Sequence, residues 1–209
     1  DNGLVVILRE VHTAPLVSTW MWYRVGSRNE VEGATGVSHW VEHMQFKGSA
    51  HFGKGEVMRS VQRYGGNANA FTTADFTAYY ETLPAQQAEL ALHIEADRML
   101  SATFDPDEVA SERTVILSER EGSENEPGYM LDEQMSAMAF VVHPYHHEVL
   151  GWACDLQALT REQLYAHYQH YYAPNNAVLV AVGDFDSSAY LDLVRRHFAP
   201  LAAAQLLDQ

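Results

Sequence analysis

Two histidines and a glutamate fall within five residues of one another in the stretch Gly36-Val37-Ser38-His39-Trp40-Val41-Glu42-His43-Met44. On a helix, His39 and His43 stand one turn apart, so their imidazoles share a face and can grip one metal ion. Glu42 lies three residues from His39 and next to His43, which puts its carboxylate beside that ion. The order is H-x-x-E-H, the inverse of the more familiar H-E-x-x-H. Imidazole pairs favour zinc among the common ions, and a catalytic zinc takes three protein ligands and keeps one position open for water.

The third ligand must come from elsewhere in the chain. A helix capped by Asp105, with Pro106 at its first position, runs through Glu108, Glu112, Val115 and Glu119. Glu112 and Glu119 are seven residues apart and share a face. One can bind the metal while the other accepts a hydrogen bond from a ligand histidine. Spacing alone does not choose between them.

The elements that must position these groups follow from period and punctuation. Leu4 to Arg9 and Leu16 to Val25 read as two strands joined by the turn His12-Thr13-Ala14-Pro15, and Gly26 to Gly36 as a loop leading to the histidine helix, Val37 to Phe46. A helix from Glu56 to Tyr64 stops at Gly65-Gly66. Asn67 to Thr72 and Phe76 to Leu83 form two more strands around Thr73-Ala74-Asp75. Further helices are expected over Ala85 to Ser101, Tyr129 to Phe140, Thr160 to Tyr171, opened by a Thr160/Gln163 capping box, and Ser187 to Phe198, with a strand at Ala177 to Val182. The whole predicts an α+β domain with a mostly antiparallel sheet of adjacent hairpins and helices packed on one face. Residues 1–200 read as one catalytic domain and residues 201–209 as a tail or the start of a linker.

Bulk properties narrow the function. The 209 residues are 47% hydrophobic and 20% charged, enough for a core without disulfides. Thirteen Lys and Arg against 28 Asp and Glu give a net charge of −15, which argues against nucleic-acid partners and anionic membrane surfaces. No apolar run reaches the ~18 residues of a membrane span, so the expectation is a soluble protein; its compartment is unknown from these residues, a bacterial cytoplasm or periplasm being expected. Cys154 is the single cysteine and reads as a packed small hydrophobe. His143, His146 and His147 form a dense cluster that offers a second metal site as an alternative. His167 and His170 read as a packed or solvated pair.

The chain resembles the pitrilysin/insulinase family, which includes mitochondrial processing peptidase and related bacterial zinc peptidases. The similarity runs through Trp22-Tyr23-Arg24-Val25-Gly26-Ser27-Arg28, Gly36 to Gly48, and Gly65-Gly66-Asn67-Ala68-Asn69-Ala70-Phe71-Thr72. It continues through Glu112-Arg113-Thr114-Val115-Ile116 with Glu119, His143-Pro144-Tyr145, and Tyr172-Ala173-Pro174-Asn175-Asn176. The resemblance implies a processing-peptidase-like fold and one zinc ion per chain, held by His39, His43 and Glu119. It makes Glu42 the general base and Glu112 a supporting member of the catalytic set, and it places His143-Pro144-Tyr145 in an ordered connection, not a second metal site. Asn69, Ala70, Phe71 and Thr72 match the edge strand that binds substrate, to which an extended peptide adds as a further strand. It also implies a homologous C-terminal domain or partner subunit, with homo- or hetero-oligomers possible, and peptides or unfolded segments as substrates. A non-catalytic scaffold or partner subunit of the same family is the alternative, and a zinc hydrolase of other amides is a third reading.

Overall fold

The first strand, β1 (Val5–Glu10), is not paired with the second, β2 (Leu16–Tyr23). The last strand in the chain, β5 (Ala177–Gly183), lies between them, parallel to β1 and antiparallel to β2. The expected hairpin is therefore opened by a strand that arrives more than 150 residues later. On the other side of β2 come β4 (Thr77–Pro84) and then β3 (Asn67–Thr72), both pairings antiparallel, so the sheet order is β1-β5-β2-β4-β3. These assignments come from a computed structural model, which describes residues 2–206.

The strands alternate as a half-buried sheet must. Val17, Met21 and Tyr23 of β2, Tyr79 and Leu83 of β4, and Leu179 and Ala181 of β5 face the helices and are buried. Around them pack α1 (Val37–Met44), α2 (Glu56–Arg63), α3 (Ala88–Ser101), α4 (Pro106–Glu124), α6 (Ala153–Ala158), α7 (Arg161–Tyr171) and α8 (Ser187–Phe198), while α5 (Pro127–Ala139) lies outside this core against α4, with Met130, Leu131, Met135 and Met138 exposed. Both expected caps are present: Asp105 Oδ1 accepts from the amides of Asp107 and Glu108, and Thr160 and Gln163 form a capping box. The reverse face of the sheet carries an aromatic cluster in which Trp20 stacks on Trp22 (5.5 Å) and Tyr80 (4.4 Å).

Two further expectations meet the structure differently. Helix α6 was not anticipated, because six residues are too few to show a period. Cys154 is exposed on that helix, not packed, because α6 buries Leu156 and turns Cys154 to solvent. Of the tail, Leu201 is buried and Ala204 exchanges two hydrogen bonds with Asn175, while residues 207–209 lie outside the described residues.

A charged triad sits in the core behind α1. The guanidinium of Arg98 lies 3.3 Å from both Glu81 and Glu95 and packs over the rings of Phe46 and Tyr79. Burial pushes both carboxyls up, and each is tolerated only because Arg98 stands beside it. Arg98→Met should therefore destabilise the fold by about 3–5 kcal/mol, since it leaves two buried acids without their cation. The midpoint of urea unfolding measures this; an unchanged midpoint would show the triad to be dispensable.

Candidate active site

Helix α1 begins at Gly36, whose φ of 84° belongs to the left-handed region. A side chain there would also strike the carbonyl of Leu150, 2.5 Å from an ideal Cβ. The helix then runs beneath the sheet edge with Trp40, Val41 and Met44 fully buried. That burial turns the other face, with His39, Glu42 and His43, into a cleft of about 570 Å³. All nine residues singled out from the sequence line this cleft: His39, Glu42, His43, Glu112, Glu119, and Asn69 to Thr72. Phe46, Lys47, Val149 and Leu150 complete it.

The two imidazoles converge through their Nε2 atoms, 3.2 Å apart. The Oε2 of Glu119 lies 3.5 Å from His43 Nε2 and 3.8 Å from His39 Nε2. Tetrahedral ligands about 2.0–2.1 Å from a zinc ion are about 3.3 Å from one another, so this donor set fits such an ion. It is the one cluster of His, Cys, Asp or Glu among the described residues whose donor atoms lie close enough together to hold a metal. Burial, then the neighbouring His43, pushes His39 down to about 3, which leaves its ring neutral with a lone pair to give.

Glu112 stands on the far side of the second ring. Its Oε1 is 2.8 Å from Nδ1 of His43 and its Oε2 is 2.5 Å from Nζ of Lys47. Burial opposes its charge, but the bonds from His43 and Lys47 outweigh it and hold the carboxyl below its usual range. The same bond fixes a proton on Nδ1 of His43 and leaves Nε2 free to face the cleft. Burial also opposes charge on His43, yet Glu112, Glu119 and Glu42 together raise its pKa.

Glu42 is buried at the cleft wall, and burial raises its pKa against the pull of a hydrogen bond from Thr72. That bond runs from Thr72 Oγ1 to Glu42 Oε2 at 2.6 Å. Thr72, expected as part of a substrate strand, thus also orients Glu42. The rest of β3 behaves as an edge: it pairs with β4 alone, and Asn69 and Phe71 are exposed. Lys47 and the second role of Thr72 are not legible in the sequence because they depend on contacts 65 and 30 residues away in the chain.

The remaining histidines sit apart from this cluster. The ring of His143 accepts from the amide of Tyr145, His146 bonds the carbonyl of His143, and His147 is buried near Glu30. Nε2 of His167 lies 3.1 Å from Ser38 Oγ, which ties α7 to α1.

The chain is similar to known peptidases over nearly its whole length. A family profile described as insulinase (peptidase family M16) matches residues 5–152, and one described as the peptidase M16 inactive domain matches residues 158–206. The zinc protease PqqE of Helicobacter pylori is 34% identical over 202 residues, which are 96% of this chain and 46% of that protein. A crystal structure of a protease from Helicobacter pylori superposes with a TM-score of 0.95 at 33% identity, covering all of this chain and 50% of that one. The first half of the periplasmic protease PqqL from Escherichia coli superposes with a TM-score of 0.90 at 28% identity, covering all of this chain and 46% of that one. The chain spans about half the length of the curated relatives it matches.

The His167 contact gives a pH-dependent stability. Burial, then His170, pushes His167 down to about 3 from the usual 6.5. As pH falls, the unfolded chain takes up this proton first, so the contribution is complete above about pH 6.5 and is lost between there and about pH 3. The slope reaches at most about 1.4 kcal/mol per pH unit. His167→Gln should flatten unfolding free energy against pH by about that slope between pH 6 and 4. An identical slope in the variant would show that His167 titrates normally in the fold.

Proposed function

The chain belongs to the insulinase family of peptidases, family M16, and from that premise we propose that it is the catalytic half of a zinc endopeptidase acting on peptides or unfolded segments. The observation that supports this most is the convergence of His39 Nε2, His43 Nε2 and Glu119 Oε2 in a cleft that also holds Glu42 and an open sheet edge. In this reading those three side chains hold one zinc ion. Bound there, zinc supplies Lewis acidity, polarising a carbonyl and bringing the pKa of a water ligand to about 7.

The chain's own residues do the rest. Glu42 takes the proton of the attacking water and passes it to the departing amine. The hydroxyl of Thr72 occupies Oε2 of Glu42 and so leaves Oε1 for the exchange. Glu112 keeps the proton of His43 on Nδ1, and Lys47 balances the charge of Glu112. Strand β3 offers its unpaired edge to an extended peptide through Asn69 to Thr72, so backbone pairing holds many sequences and side-chain contacts select among them.

The relatives' greater length supports a second, homologous half or partner subunit, in one chain or as a homo- or hetero-oligomer, closing over the cleft. Residues 201–209 would begin the link to it. No helix among the described residues is long and apolar enough to cross a membrane, and the similar PqqL is described as periplasmic; a bacterial periplasm or cytoplasm is the compartment this reading carries. A non-catalytic partner role is the second reading. The match of residues 158–206 to an inactive-domain profile favours it, but that stretch excludes His39, Glu42, His43 and Glu119.

Glu42→Gln should retain about one zinc per chain by elemental mass spectrometry and lose peptide turnover by roughly 10²–10⁴-fold; retained turnover would sink the assignment of the base. Glu119→Ala should weaken zinc binding more than Glu112→Ala in a metal titration. Equal losses would undo the choice of third ligand, and zinc binding without turnover in the wild-type full-length protein would favour the partner role.

A further inference from the structure

Helix α1 is eight residues long, so the direction of its first turn decides where His39 points. The two histidines are not supported alike. His43 has Glu112 at its Nδ1, whereas the buried Nδ1 of His39 has no hydrogen-bond partner among the described residues. The backbone beneath His39 must therefore aim its ring.

That backbone opens without a capping side chain, because its N-cap is Gly36. The first amides of a helix need acceptors, and here a residue six positions upstream supplies them. Oε2 of Glu30 accepts from the amide of Gly36 at 2.7 Å, and its Oε1 accepts from the amide of Ser38, the residue before His39, at 2.8 Å. The Glu30 side chain is completely buried. Burial pushes its carboxyl up to about 8, while the two amide bonds act the other way; two oxygens each accepting from an amide is the hydrogen-bonding pattern of the anion. A negative charge at this end of the helix is further favoured by the backbone dipoles. A second carboxylate secures the residue before Gly36: Asp155 Oδ2 accepts from both the amide (3.1 Å) and the hydroxyl (2.7 Å) of Thr35. The amide of Trp152 donates to the same hydroxyl at 2.8 Å.

We propose that Glu30 is a positioning residue for the metal site: its buried carboxylate stands in for a helix cap, fixes the first turn of α1, and thereby presets the grip of His39 and His43. Such a residue touches neither metal nor substrate. It acts by removing the freedom of His39 before the ion arrives, so its loss weakens metal binding as well as the fold. The proposal rests on the reading that His39, His43 and Glu119 hold zinc.

The test is the zinc dissociation constant, measured by competition with a coloured chelator, beside the melting temperature of the metal-free chain. Glu30→Gln keeps the volume but turns an NH2 group toward a backbone amide. It should bind zinc roughly 10–100-fold more weakly, the range found when a group supporting a metal ligand is removed. Glu30→Asp keeps the charge, but its shorter arm reaches one amide instead of two; it should lose part of that affinity and serves if the Gln variant does not fold. Asp186→Ala removes the carboxylate that caps α8, a helix that packs on α3 and β1, and reports a stability loss with no aiming role. Glu30 variants that fold and bind zinc as tightly as wild type, or no more weakly than Asp186→Ala at a matched melting temperature, would overturn the proposal. A wild-type chain that holds no zinc would overturn the metal reading and the proposal together, which keeps the two failures distinct.

Discussion

Two imidazole lone pairs brought to 3.2 Å repel each other unless a cation or a proton lies between them. The rest of the site is arranged around sustaining that unfavourable approach. A helix alone supplies the i, i+4 spacing, but an isolated two-turn helix is barely stable in water and would not hold its rings in place. Burial of Trp40, Val41 and Met44 anchors its inner face, and Glu112 holds the second ring from behind. Helix α4, nineteen residues long, brings Glu112 and Glu119 to opposite sides of the same histidine.

The cleft carries three carboxylates, Glu42, Glu112 and Glu119, and one cation, Lys47. Left together they would repel, and each is handled differently. Glu112 is neutralised by Lys47 and His43, and Glu42 is buried and bonded by Thr72. Glu119 keeps an exposed side chain and is the one that leans over both rings. A cation between His39, His43 and Glu119 would draw on the charge of Glu119 and of the neighbouring Glu42, with Glu112 already balanced by Lys47, which is why the acidity of this region is a local design and not only a reflection of the chain's overall charge.

What could be seen in the sequence was local. His39, Glu42 and His43 announce themselves because one helical turn sets their relation, and Asp105-Pro106 and Thr160 mark helix starts for the same reason. Glu112 and Glu119 were found as a pair but not separated by spacing, since both share one face of α4. Only the angle at which α4 passes α1 sends Glu119 to the Nε2 side and Glu112 to the Nδ1 side. The insertion of β5 between β1 and β2 was hidden because it depends on a strand far along the chain. Glu30 looked like one more polar loop residue, as its burial and both of its bonds exist only after the loop folds back on α1.

The aromatic cluster on the reverse of the sheet has an optical consequence. Phe71 belongs to the edge strand that borders the cleft, and its ring meets Trp20 edge-on at 6.4 Å and Trp22 at 6.1 Å. Trp20 and Trp22 also stack on each other, so their excited states are coupled through the same small group of rings. Any occupant that shifts β3 must disturb that group. The indoles thus give the molecule an intrinsic fluorescent gauge of its own sheet edge, one that needs no dye.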